Sequence, residues 1–104
     1  MKSLVLNAAD EDQVKKAESK LKRGRERELS DIYDIMSTPM GRRFVWRYLS
    51  ECKVFETCFN HSGSIMAFNE GARNIGLMLL SDINEAHPES YMLMTKETKN
   101  KENE

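Results

Sequence analysis

Seven Lys and Arg residues fall among positions 15–27, against two Glu, for a local charge of +5. Lys20, Lys22, Arg23, Arg25 and Arg27 form the dense end of this run. Such clusters neutralise phosphates or acidic protein surfaces. Arg42, Arg43, Arg47 and Lys53 make a second group, offset only by Glu51. Trp46 stands among them, and an indole beside guanidinium groups can stack on a base or on an arginine plane. Lys20, Lys22, Arg23, Arg25, Arg27, Arg42, Arg43, Trp46 and Arg47 are therefore the candidate contact residues. The competing reading is a solvated helix face with acids at both ends. The net charge of the whole chain, −1, favours the solvated face; of the two contact readings, protein contact ranks above nucleic-acid contact.

Other chemistry is sparse. Cys52, Cys58, His61 and His87 are the only soft metal ligands, and only Cys58 and His61 have local ligand spacing. The other two fit no zinc pattern, so no metal site is expected. Catalysis needs a nucleophile beside a base, or two acids held in a cleft. Neither pattern is evident, and Gly41, Gly71 and Gly76 lie in helix-like stretches, not in a phosphate-binding loop. The chain is expected to be no enzyme and to carry no cofactor. Its longest apolar run, residues 76–80, is far short of the ~20 residues that span a bilayer. The apolar patch at residues 4–6 is too short for a signal-peptide core. A protein made in a reducing cytoplasm, with free thiols and no membrane span, is expected.

The elements that must position these side chains read as helices. With 104 residues, two prolines and five glycines, the chain suits one all-α domain. After an irregular lead, Asp10 and Gln13 form a capping box for a first helix over residues 11–36. That helix has no apolar residue between Lys22 and Glu28, so it is expected to project partly from the domain. Thr38 caps and Pro39 opens a second helix reaching about residue 53. Its apolar face would be Met40, Phe44, Val45, Tyr48, Leu49 and Cys52, with the arginines opposite. Phe55 and Phe59, in the loop that follows, are expected to tuck into the core. Ser64 caps a third helix over residues 65–85, apolar over most of its circumference and expected to be the most buried. Pro88 opens a short fourth helix. The organisation expected is a lead and long charged helix (1–36), a compact core of three shorter helices (37–95) and a disordered charged tail (96–104).

A phrase occurs twice: GRRFVWRYL at residues 41–49 and GARNIGLML at residues 71–79. Both fit Gly-x-Arg-x-(Val/Ile)-x-x-x-Leu. A helical glycine costs about 1 kcal/mol relative to alanine, so Gly41, Gly71 and Gly76 suggest close backbone approach. Arg73, Met78, Leu80, Met92 and Met94 join them as candidate packing residues. Met92 and Met94 are two apart and cannot share one helix face, which points one of them at a partner. The breadth of the third helix's apolar surface points to a homo-oligomer.

These motifs resemble a family of small tailed-phage proteins grouped around one from a Bordetella podophage. The resemblance rests on residues 7–20 (NAADEDQVKKAESK), 37–49 (STPMGRRFVWRYL), 68–80 (FNEGARNIGLMLL) and 88–94 (PESYMLM). It implies a role among head and tail proteins. The chain would be a minor component of the head interior, portal, tail or ejection apparatus, assembled in the host cytoplasm and carried in the virion. Phage structural proteins, or the chain itself, would be its partners. The resemblance brings no catalytic residues, and it makes Arg42, Arg43, Glu70, Gly71, Arg73 and Gly76 structural or interface residues. A cytoplasmic adaptor or host-takeover inhibitor is the alternative. A DNA-contacting accessory using the basic first helix is the second alternative.

Overall fold

The computed structural model describes residues 8–103, all in helices and short connections. Its elements are α1 (Ala8–Met36), α2 (Pro39–Glu51), α3 (Gly63–Ala86) and α4 (Pro88–Glu102). The fold is all-α, with no strand among the described residues. The lead at residues 1–7 and Glu104 lie outside them.

α1 is already helical at Ala8, so Asp10 sits in its first turn and is not its cap. Ala8 and Ala9 are the strongest helix formers and let the helix begin upstream of the acids. Every described α1 side chain up to Arg23 is exposed, which leaves this half of the helix as an arm. The other half brings Leu29, Ile32 and Met36 to the domain.

The α1–α2 corner is tight. Thr38 accepts a hydrogen bond from the Gly41 amide at 3.0 Å and caps α2. A Cβ on Gly41 would fall 1.8 Å from the Ile35 carbonyl oxygen, so only glycine fits. This corner, and Arg42 beneath it, set the rotation of α2. The buried residues of the helix are Arg42, Val45 and Leu49, while Met40, Phe44 and Tyr48 face solvent. The expected apolar face is thus split, and one of the arginines expected outside lies inside.

α2 ends in a reversal at Lys53, whose φ of 60° is left-handed. The Val54 amide donates to the Leu49 carbonyl at 3.2 Å and the Lys53 amide to that of Ser50 at 3.0 Å. This is the paired termination that a helix makes through a left-handed residue. The reversal buries Val54 and Cys58 and turns Phe55 and Phe59 outward, opposite to expectation. α3 is capped by Ser62, which accepts from the Ile65 amide at 3.4 Å, and not by Ser64.

A single residue, His87, joins α3 to α4, and its ring stacks on Tyr33 at 4.3 Å. The core is small: Met36, Val45, Leu49, Val54, Ile83 and Met94, flanked by half-buried Ile32, Trp46, Leu77, Leu80 and Tyr91. Full burial of one such side chain stabilises by about 1.5–3 kcal/mol. The molecule measures 68 × 38 × 15 Å with a radius of gyration of 20.0 Å. A compact domain of this length would have about 13 Å. In so thin a slab each helix has little of its surface inside. α3 is consequently not a buried helix: only Gly76 and Ile83 are fully enclosed. α4 is longer than expected and continues to Glu102 through residues expected to be disordered. Arg42 holds Glu97, Thr98 donates to the Met94 carbonyl at 2.9 Å, and Lys99 and Lys101 suit the negative end of the helix.

Candidate functional site

The basic residues expected to act together are divided by the fold into three settings. Lys20, Lys22, Arg23 and Arg27 stand exposed along α1. Arg25 leaves that group. Its guanidinium donates to Asp82 and Glu85 of α3 at 2.7 Å each and to Glu28 at 3.2 Å. Hydrogen bonds to Asp82, then to Glu85 and Glu28, hold its pKa well above the usual arginine value. Arg25 therefore fastens the arm to α3 and is not a free cation for phosphate.

Arg42 is also a fastening. Its side chain is 10% exposed. Nε donates to the Glu97 carboxylate of α4 at 2.5 Å, and Nη1 to the Met36 carbonyl at 2.9 Å. That carbonyl is one of the acceptors left without an intrahelical donor at the end of α1. One guanidinium thus ties α1, α2 and α4.

Arg43 and Arg47 remain at the surface and line an open cleft of about 990 Å³ between α2 and α4. Phe44, Trp46, Ser50 and Glu51 line the α2 side, and Thr98, Asn100 and Lys101 the α4 side. The Arg47 guanidinium carbon lies 5.7 Å from the Phe44 ring centre and 5.1 Å from that of Tyr48. The Trp46 ring stacks on Phe55 at 4.7 Å. Arg43, Arg47 and Lys101 face one unpaired acid, Glu51, so the cleft carries positive charge beside aromatic surface. Such a wall suits a carboxylate- or phosphate-bearing partner. Lys101 was not among the expected contact residues. It became part of the cleft only because α4 runs through the tail.

The candidate packing residues also divide. A Cβ on Gly76 would lie 2.4 Å from a Val54 methyl and 2.8 Å from the Cys52 Cβ, so this glycine lets α3 approach the end of α2. Gly71 is different: a Cβ there meets nothing within 4 Å among the described residues. Met94 is in the core and Leu80 and Arg73 are half-buried, whereas Met78 and Met92 are exposed. The repeated phrase thus describes two unlike places, an α1–α2 corner and an open helix face.

Cys58 is buried. Burial, and then its hydrogen bond to the Glu70 carboxylate, push its thiol pKa up. A thiol held protonated is a poor nucleophile and a poor ligand. Among the described residues no three His, Cys, Asp or Glu side chains converge to hold a metal. No described helix is long and apolar enough to cross a membrane.

A family model described as "Bbp19-like phage protein" matches residues 33–96, more than half of the chain. The match takes in α2, α3 and most of α4 and leaves out the α1 arm. No curated protein and no solved structure matches the chain.

Proposed function

The chain belongs to the Bbp19-like phage protein family, and from that premise we propose that it is a structural or assembly component of the virion that works by contact and not by catalysis. The observation that carries this reading is the ratio of covered to uncovered apolar surface. Among the described residues seven apolar side chains are buried, while fifteen large ones are exposed. Exposed apolar surface of this extent marks interaction faces, and a protein with so small a core is stabilised by assembly. The arm and the α2/α4 cleft add charged contacts of opposite reach, one projecting and one recessed. The partners are phage structural proteins or further copies of the chain.

Cross-linking mass spectrometry of purified virions tests this. Links from Lys15, Lys16, Lys20 or Lys22 to another phage structural protein are expected. Links to a host protein in infected cells, with no chain in the particle, would replace this reading by the adaptor alternative. The exposed lysines and arginines of α1 also support a DNA-contacting role. That reading predicts DNA affinity that falls steeply with salt and is lost when Lys20, Lys22, Arg23 and Arg27 are neutralised.

A further inference from the structure

α3 carries a line of side chains that its own fold does not use. Phe68 is 79% exposed, Ile75 63% and Met78 65%, and Ile65 is half exposed. They follow one another at steps of three, seven and three residues and share one side of the helix. Ala72 and Leu79 border that side and are half-buried, Leu79 against the core, and the side carries no charged residue before Asp82. Gly71 lies within the line. Glycine in a helix is unfavourable, and nothing among the described residues approaches Gly71 closely enough to require it. Gly41 and Gly76 are explained by close contacts inside the molecule, and Gly71 is not.

We infer that a second copy of this chain docks on α3, with the two α3 helices crossing antiparallel at Gly71 about a two-fold axis. The pattern is self-complementary in that arrangement. Offsets of −3 and −6 from Gly71 are Phe68 and Ile65, and offsets of +4 and +7 are Ile75 and Met78. Antiparallel pairing sets Phe68 of one copy beside Ile75 of the other, and Ile65 beside Met78. Two glycines at the crossing let the backbones approach, as helix pairs joined through small residues do. Charge selects the same orientation. The Arg25–Asp82–Glu85 cluster carries a net negative charge. A parallel pair would set two such clusters together, whereas an antiparallel pair sets each near the positive N-terminal end of the partner's α3. The basic arms disfavour self-association through α1, and an isologous contact on α3 closes at two copies. The stripe is roughly 20 Å long, from 1.5 Å of rise per residue. On a helix about 10 Å across, a stripe of that length covers on the order of 200 Å², short of the roughly 800 Å² per partner of a stable complex, so the pair exchanges in the micromolar range.

This inference rests on the proposed contact role but fails separately from it. The experiment is sedimentation of the full chain across the micromolar range, wild type against Gly71→Arg. Wild type is expected to shift from monomer to dimer as concentration rises. Gly71→Arg is expected to stay monomeric, with a melting temperature at low concentration no lower than wild type. Arginine favours helix over glycine and its Cβ enters open space. Oxidative cross-linking fixes the orientation: Gly71→Cys should give a covalent dimer. Ser64→Cys should not, because antiparallel pairing holds the two Ser64 positions about 20 Å apart along the axis. A wild type monomeric throughout, an unchanged dimer in Gly71→Arg, or a Ser64→Cys cross-link exceeding that of Gly71→Cys would overturn the proposal. A dimer in solution with no chain in virions would sink the particle role and leave the pairing standing.

Discussion

Arg42 shows how residue type and residue role separate. Its sequence neighbours are Arg43, Phe44 and Trp46, and spacing alone places it on a wet face. Buried between Glu97 and the Met36 carbonyl, it is a cross-brace between three helices. Glu97→Ala should destabilise the fold by about 1–2 kcal/mol, since the guanidinium keeps only one acceptor. Urea unfolding measures this, and Arg43→Ala, which loses no hydrogen bond or ion pair among the described residues, should be near neutral. Lys53 is strained in the opposite sense. A non-glycine residue in the left-handed region costs about 1 kcal/mol, so Lys53→Gly should stabilise by about that amount. Cys58 supplies a pH dependence. Its folded pKa is raised, so the folded state keeps its proton where the unfolded thiol begins to lose one, at about pH 8.5. The contribution of this thiol to stability is therefore full below that pH and declines as pH rises above it. Denaturant titrations at pH 7 and pH 10 should show the loss, and Cys58→Ala should reduce it. None of these three effects was legible in the sequence. Arg42 and Cys58 depend on which residue lies across the gap, 55 and 12 positions away, and Lys53 on a backbone angle that the reversal imposes.

At the scale of elements the sequence was a better guide. Thr38-Pro39 and His87-Pro88 marked the starts of α2 and α4 because proline's fixed φ suits a first helical position. The gap in apolar residues after Lys22 marked where the arm meets the domain. What failed was rotation and extent. The apolar residues of α2 span more than half its circumference, so periodicity could not decide which half faces inward. Gly41 decided it, through a corner too tight for a Cβ. The charged tail read as disordered because it has no apolar residue, yet Arg42 anchors Glu97 from outside that segment and α4 extends to Glu102. The arm leads to a prediction of its own. Deleting residues 1–20 removes only exposed side chains from the described arm. The melting temperature should fall by no more than a few degrees, while helical circular dichroism per molecule drops. A collapse of the cooperative transition would mean that the arm is part of the core.

The whole molecule is a slab 15 Å thick and 68 Å long, with few enclosed side chains. Its phage family accounts for the context, and its shape supports the proposed contact role: a small protein presenting helix faces on both sides, a charged arm and a cationic cleft. The candidate site was legible only in part. Arg43, Trp46 and Arg47 do share a surface, but Arg25 and Arg42 are fasteners, and Lys101 enters from a segment that the sequence assigned to disorder. The proposed place of such a molecule is in an assembly. Quantitative mass spectrometry of gradient-purified virions tests it most directly. This chain should be found in the particle at a reproducible copy number relative to the major head and tail proteins. Its absence from purified virions, while it is abundant in the infected cell, would contradict the account.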